Sequence, residues 1–132
     1  MFQEAGVRII GTGRSDFPNQ VNNSLGFPGI FRGTLDVRAK TITDEMHIAA
    51  AYAIASVAEE KGLREDYIVP TMEDWEVFST EATAVALKAI EQGVARKKLS
   101  RQELYEMAEE KIRVARESTH MLMKHGLIKK MK

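Results

Sequence analysis

Two adjacent carboxamides, Asn22 and Asn23, stand in the segment Gly13-Arg14-Ser15-Asp16-Phe17-Pro18-Asn19-Gln20-Val21-Asn22-Asn23-Ser24-Leu25-Gly26-Phe27-Pro28-Gly29-Ile30-Phe31-Arg32-Gly33. This segment is dense in polar side chains and chain-turning residues, and it lies directly behind a short apolar run. A carboxamide offers both a donor and an acceptor without charge, so the pair suits a carboxylate, a hydroxyl or another amide while leaving local ionisation alone. A helix cap followed by a turn accounts for the same residues equally well on spacing alone.

Other chemistry-bearing residues carry weaker patterns. Gly11-Thr12-Gly13 after a strand invites a dinucleotide-binding reading, in which glycines let a pyrophosphate approach the backbone at a helix N-terminus. The pattern fails here, because Asp16 occupies the third glycine position and Pro18 arrives too soon for a continuous first turn. His47, His120 and His125 lack a second ligand at metal spacing, so surface or interface roles are expected for them. Glu59 with Glu60 and Glu109 with Glu110 read as solvated faces of charged helices rather than acid/base pairs. Tyr52, Tyr67 and Tyr105 read as packing residues. No residue is nominated as catalytic or as a metal ligand.

The elements that must position the amides follow from pattern and punctuation. Val7 to Ile10 is a β-branched run between Gly6 and Gly11, which reads as a strand. Pro28 suits the first turn of a helix carrying Ile30, Phe31, Leu35 and Val37, made tight or kinked by Gly26 and Gly33. Thr43 is placed to cap a helix running to about Lys61, with Asp44 and Glu45 at its positive end and Gly62 closing it. Its alanine-rich middle is apolar almost all round, so burial on several sides is expected. Trp75, Val77 and Phe78 are candidate anchors before a helix from about Ser79 to Gln92, which Gly93 ends. Ser100 and Glu103 form a capping box opening the last helix, whose stripe is Leu104, Ala108, Ile112, Ala115, Thr119 and Leu122.

Length and composition set outer limits. The chain of 132 residues is one domain or a large piece of one. Its 19 basic and 19 acidic residues cancel, so charge gives no reason to expect nucleic acid or a membrane surface as partner. Cysteine is absent, which removes disulfide and thiolate chemistry, and a cytoplasmic setting is the default. The predicted class is mostly α, with one N-terminal strand and four to five helices. A single strand has no ladder, so its sheet is expected elsewhere, in another chain or in a preceding part of a longer protein. The competing arrangement is an all-helical bundle with an N-terminal arm.

At the amide motif the sequence resembles the C-terminal part of the malic enzymes, the NAD(P)-dependent decarboxylating malate dehydrogenases, in their shorter bacterial and archaeal form. The match is close over Thr12 to Arg38, recognisable over Ile42 to Ala58 and Asp66 to Pro70, and resumes over Ala82 to Arg96. It loosens at Thr71 to Thr80, where Met72-Glu73-Asp74-Trp75-Glu76 replaces a proline-rich loop. The resemblance implies an α/β fold in which residues 1–21 are the last strand and ligand loop of a doubly wound dinucleotide-binding domain. Residues 22–132 would be a helical segment returning to the catalytic domain. It implies that Asn22 and Asn23 contact malate or pyruvate, and that Gly13, Arg14, Ser15 and Asn22 contact NAD or NADP. Mg²⁺ or Mn²⁺, the tyrosine acid, the lysine base and the glycine-rich cofactor loop would all belong to sequence outside this chain. The implied partners are that missing N-terminal part or companion subunit and, in the complete enzyme, further copies forming a homo-oligomer. The segment alone would be inactive. The alternative is a non-catalytic helical interaction module derived from such an enzyme.

Overall fold

A computed structural model describes residues 5–129. Four helices follow an irregular N-terminal loop: α1 (Asn23–Asp36), α2 (Asp44–Glu60), α3 (Glu76–Glu91) and α4 (Arg101–Lys124).

The expected strand at Val7 to Ile10 does not form. Among the described residues there are only two isolated bridges, a parallel one between Thr12 and Gln20 and an antiparallel one between Arg64 and Tyr67. The reason is the missing ladder: among the described residues no neighbouring strand supplies partners for this backbone, and Val7 and Ile9 are 44% and 45% exposed.

Helix α1 begins earlier than Pro28 suggests. Asn22 adopts extended backbone angles and its Oδ1 accepts from the Ser24 backbone N–H at 3.0 Å, which starts the helix at Asn23. Pro28 therefore falls in the second turn, where it removes one intrahelical hydrogen bond. The helix nevertheless runs unbroken to Asp36, and its glycines serve packing rather than a kink. Gly29 and Gly33 are buried against α3. Arg38, in the left-handed region at φ 50°, turns the chain away.

The capping signals in the other helices are realised. Thr43 accepts from the Met46 N–H at 3.2 Å, and Ser100 and Glu103 form both halves of the capping box. Gly62 (φ 91°) and Gly93 (φ 70°) take the left-handed conformation just after α2 and α3. Helix α3 starts at Glu76, three residues before the expected Ser79, so Val77 and Phe78 lie within its first turn.

Helix α3 is the centre of the fold and packs against the other three. One core cluster joins Ile30 and Val37 to Met46 and Ala50 of α2, Val85, Ala86 and Ala89 of α3, and Leu104 of α4. A smaller cluster joins Leu25, Val57 and Val77, with Ile54 and Phe78 at its border. The third expected anchor, Trp75, stays 37% exposed. Backbone bonds stitch the interhelical connections together: Arg96 and Lys97 both donate to the Val37 carbonyl, and Lys40 donates to that of Val94, each at 3.0 Å.

Burial is less complete than the sequence pattern implies. Of the α4 stripe only Leu104 and Ala108 are buried. Helix α2 buries Met46, Ala50, Ala53, Val57 and Ala58, yet leaves Ile48 and Tyr52 54% and 75% exposed on its other side. No described helix is long and apolar enough to cross a membrane.

Candidate functional site

The loop leading into α1 is closed on itself. The Thr12 N–H donates to the Asn19 carbonyl at 3.2 Å, and Val21 N–H donates to the Thr12 carbonyl at 2.8 Å. Gln20 Nε2 reaches the Gly13 carbonyl at 3.3 Å across the base of the loop. Within the loop Gly13, Arg14 and Ser15 are exposed. The Arg14 guanidinium is forked onto Asp16, Nε to Oδ1 at 2.9 Å and NH2 to Oδ2 at 2.5 Å, and lies 5.0 Å over the Phe17 ring. The pairing raises the Arg14 pKa and lowers that of Asp16, so both stay ionised.

Asn22 and Asn23 stand where this loop becomes helix. One lone pair of the Asn22 carboxamide caps Ser24, and its Nδ2 has no hydrogen-bond partner among the described residues. The Asn23 side chain is exposed and has none there either. The first turn of α1 carries no acidic residue of its own at the positive end of the helix dipole. The helix dipole and two amides with unused Nδ2 donors thus meet at one end of α1, an arrangement suited to a carboxylate or a polar amide.

Two clefts open at that place. One, of about 370 Å³, is lined by Val21, Asn22, Asn23, Gly26 and Phe27 together with His47 and Ile54 of α2. The other, of about 460 Å³, holds Ser15, Asn19, Asn22, Asp66, Tyr67 and Thr71. Asn22, Leu25 and Val69 line both, so Asn22 stands on the ridge between them. The structure brings Asn22, Asn23 and Ser15 to these clefts, whereas Gly13 and Arg14 line neither.

The far wall is braced by Asp74. Its carboxylate accepts from Lys61, from Tyr67 Oη at 3.0 Å and from the Thr71 N–H and Oγ1 at 2.7 and 3.1 Å. Burial works against the charge, but these donors outweigh it and hold the Asp74 pKa down to about 2. The same carboxylate, after burial, pushes the Tyr67 phenol up. Lys61 also pairs with Glu76, which ties the loop to α3.

Sequence reasoning missed His47 and Asn19 as parts of this region. His47 reaches it only through the packing of α2 beside α1. Asn19 had a local signal in the Pro18-Asn19 turn, since asparagine tolerates the left-handed region in which it is found, φ 55°. Among the described residues no three His, Asp or Glu side chains gather as metal ligands.

Residues 7–94 match the family described as malic enzyme, NAD binding domain. The chain belongs to the malic enzymes. Over 94 residues it is 60% identical to the bifunctional malic/malolactic enzyme of Bacillus subtilis, an alignment covering 71% of this chain and 23% of that one. Over 91 residues it is 55% identical to the NAD-dependent malic enzyme of Geobacillus stearothermophilus, covering 69% and 19%. The solved malic enzyme of Entamoeba histolytica superposes with a TM-score of 0.93 at 50% identity, covering 98% of this chain and 27% of that one. The Pyrococcus horikoshii malic enzyme gives 0.86 at 50% identity, covering 93% and 28%. This malic enzyme chain therefore spans about a quarter or less of the length of the relatives it matches. The loop, α1, α2 and α3 lie within the family match, and the structural likeness extends it over α4.

Proposed function

We propose that this chain is the C-terminal segment of a malic enzyme that converts malate to pyruvate and CO₂ with NAD or NADP, and that it presents Asn22 and Asn23 to the substrate and the nicotinamide. The observation that carries this reading is the pair of carboxamides with free Nδ2 donors at the N-terminus of α1, whose first turn itself holds no acidic residue. Residues 1–21 are the end of the dinucleotide domain, its loop facing the cofactor with Gly13, Arg14 and Ser15, and 22–132 form the helical return to the catalytic domain. A nicotinamide bound there would supply the hydride acceptor for C2 of malate. The amides hold the substrate carboxylate, its hydroxyl and the nicotinamide carboxamide in register, and the α1 N–H groups favour the anionic end. The ligands of Mg²⁺ or Mn²⁺ and the proton-transferring groups are assigned to the rest of the enzyme. The segment is inactive alone and works in a cytoplasmic, homo-oligomeric enzyme.

The unpartnered apolar faces support a larger assembly. Phe27, Phe31 and Leu35 leave 49%, 53% and 64% of their surface exposed along α1, the two rings stacked with centroids 5.8 Å apart. Ile48 and Tyr52 of α2 are exposed as well, and these apolar faces are assigned to contacts with the remainder of the enzyme.

The test is Asn22→Ala with Asn23→Ala in the complete enzyme. Each lost buried hydrogen bond costs on the order of 1–3 kcal/mol, so turnover should fall by about 5- to 150-fold for each amide. Unchanged malate-dependent NAD(P)H production in the double variant overturns the assignment.

A further inference from the structure

Asn19 is 6% exposed and spends its entire carboxamide on backbone. Its Nδ2 donates to the Ile10 carbonyl at 3.2 Å and to the Glu65 carbonyl at 2.8 Å. Its Oδ1 accepts from the Ile68 N–H at 2.8 Å. One side chain thus ties the run before Gly11 and the loop entering α1 to the turn between α2 and α3, more than 40 residues further along the chain. The backbone at Asn19 is in the left-handed region, and its carbonyl accepts from Thr12. Only Gln20 and Val21 separate it from Asn22, and Val21 is itself bonded to Thr12. The turn that Asn19 grips bears Tyr67 and Val69, which line the clefts beside Asn22.

We propose that Asn19 is a positioning residue of the malate site: it sets where Asn22 and Asn23 stand by locking the entry loop to the Glu65–Ile68 turn. This rests on the assignment of the amide pair to substrate and nicotinamide. Asn19 acts through Asn22 and Asn23, since its own carboxamide is taken up by backbone groups. Its three bonds fix the separation of the two cleft walls, and a displacement of an ångström in a reacting group is enough to cost about 100-fold in rate.

The experiment compares Asn19→Gly and Asn19→Asp with the Asn22→Ala/Asn23→Ala enzyme, all in the complete protein. Glycine keeps the left-handed backbone and removes all three bonds. Aspartate keeps the acceptor for Ile68 and sets a carboxylate oxygen against two carbonyls. Both should lower kcat/KM for malate by about 10- to 100-fold. Amide hydrogen exchange at Ile68 should accelerate at least about tenfold in the glycine variant, with α3 and α4 amides unchanged. Added to the Asn22/Asn23 double variant, Asn19→Gly should cost less than about threefold more, because residues acting through one another are not additive.

A kcat/KM within about twofold of the parent in Asn19→Gly, while the amide-pair variant is impaired, overturns this inference and leaves the assignment of the pair standing. An intact amide-pair variant overturns that assignment and the present inference with it. Loss of α3 and α4 protection in both Asn19 variants, or a full additive loss in the triple variant, makes Asn19 a stability residue and also overturns the proposal.

Discussion

Gly29 of α1 and Glu81 of α3 share one space. A Cβ added at Gly29 would stand 2.8 Å from Glu81 Cγ and closer still to the carboxyl, so the acid fills the notch that the glycine leaves. Glu81 is fully buried, and neither carboxyl oxygen makes a hydrogen bond of normal geometry. Gly33, one turn on, does the same for the α3 backbone: its added Cβ would lie 2.9 Å from Val85 Cβ and closer to the Ala82 carbonyl. The α1–α3 seam is thus set by absent side chains.

Substitution along this seam should split by position. Alanine is favoured over glycine within a helix by about 1 kcal/mol, but overpacking a core costs about 1–3 kcal/mol. Gly33→Ala meets backbone that cannot rotate away, so it should destabilise by about 2 kcal/mol net. Gly26→Ala, whose Cβ would be 3.9 Å from Glu81 Oε1, meets ordinary contact and should stabilise slightly. Urea denaturation of the two variants checks the opposite signs.

Glu81 makes stability depend on pH. Burial raises its pKa from 4.5 to about 8, with the nearby Gly29 N–H opposing weakly. The folded chain therefore keeps the proton after the unfolded chain has lost it, so the acid's favourable contribution is complete below about pH 4.5 and is lost as pH rises toward about 8. Glu81→Gln, always neutral, should gain on the parent across that window by an amount on the order of several kcal/mol, and gain nothing at about pH 4. Melting temperatures of both proteins measured from acid to mildly alkaline pH give the difference directly.

Asp36 joins α1 to α4. Its buried carboxylate receives Arg32 NH2 at 2.5 Å and Lys111 Nζ at 2.8 Å, while both cations keep part of their surface in water. Asp36→Ala would leave two cations without their acceptor and should cost about 2–3 kcal/mol, less than a fully buried pair because of that solvent access. Lys111→Met should cost well under that, since Arg32 remains. Denaturant midpoints for the two variants test the ranking.

The structures that local hydrogen bonds decide were legible in the sequence. Thr43 before Asp44, Ser100 with Glu103, and glycines at 62 and 93 mark helix ends because cap and side chain lie within four residues of each other. Asn22 caps α1 and lines both clefts, so the cap reading of its spacing is realised, while its part in ligand binding rests on the proposal. Reading α1 from Pro28 placed its start too late because proline marks a permitted first turn, whereas the Asn22 cap fixes the actual one.

What lay beyond the sequence was everything set by residues distant along the chain. Val7 to Ile10 has a strand's composition, yet a strand exists only where a neighbour completes its hydrogen bonds, and none of the described residues does. The grip of Asn19 on Glu65 and Ile68, the arrival of His47 at the cleft, and the burial of Glu81 against Gly29 each depend on how helices pack. The sequence by itself determined the helices, the ends marked by Thr43, Gly62, Gly93 and Ser100, and the family. Only the tertiary structure decided which polar groups lost water and which gained a partner, because burial is a property of surfaces meeting and not of any one stretch of chain.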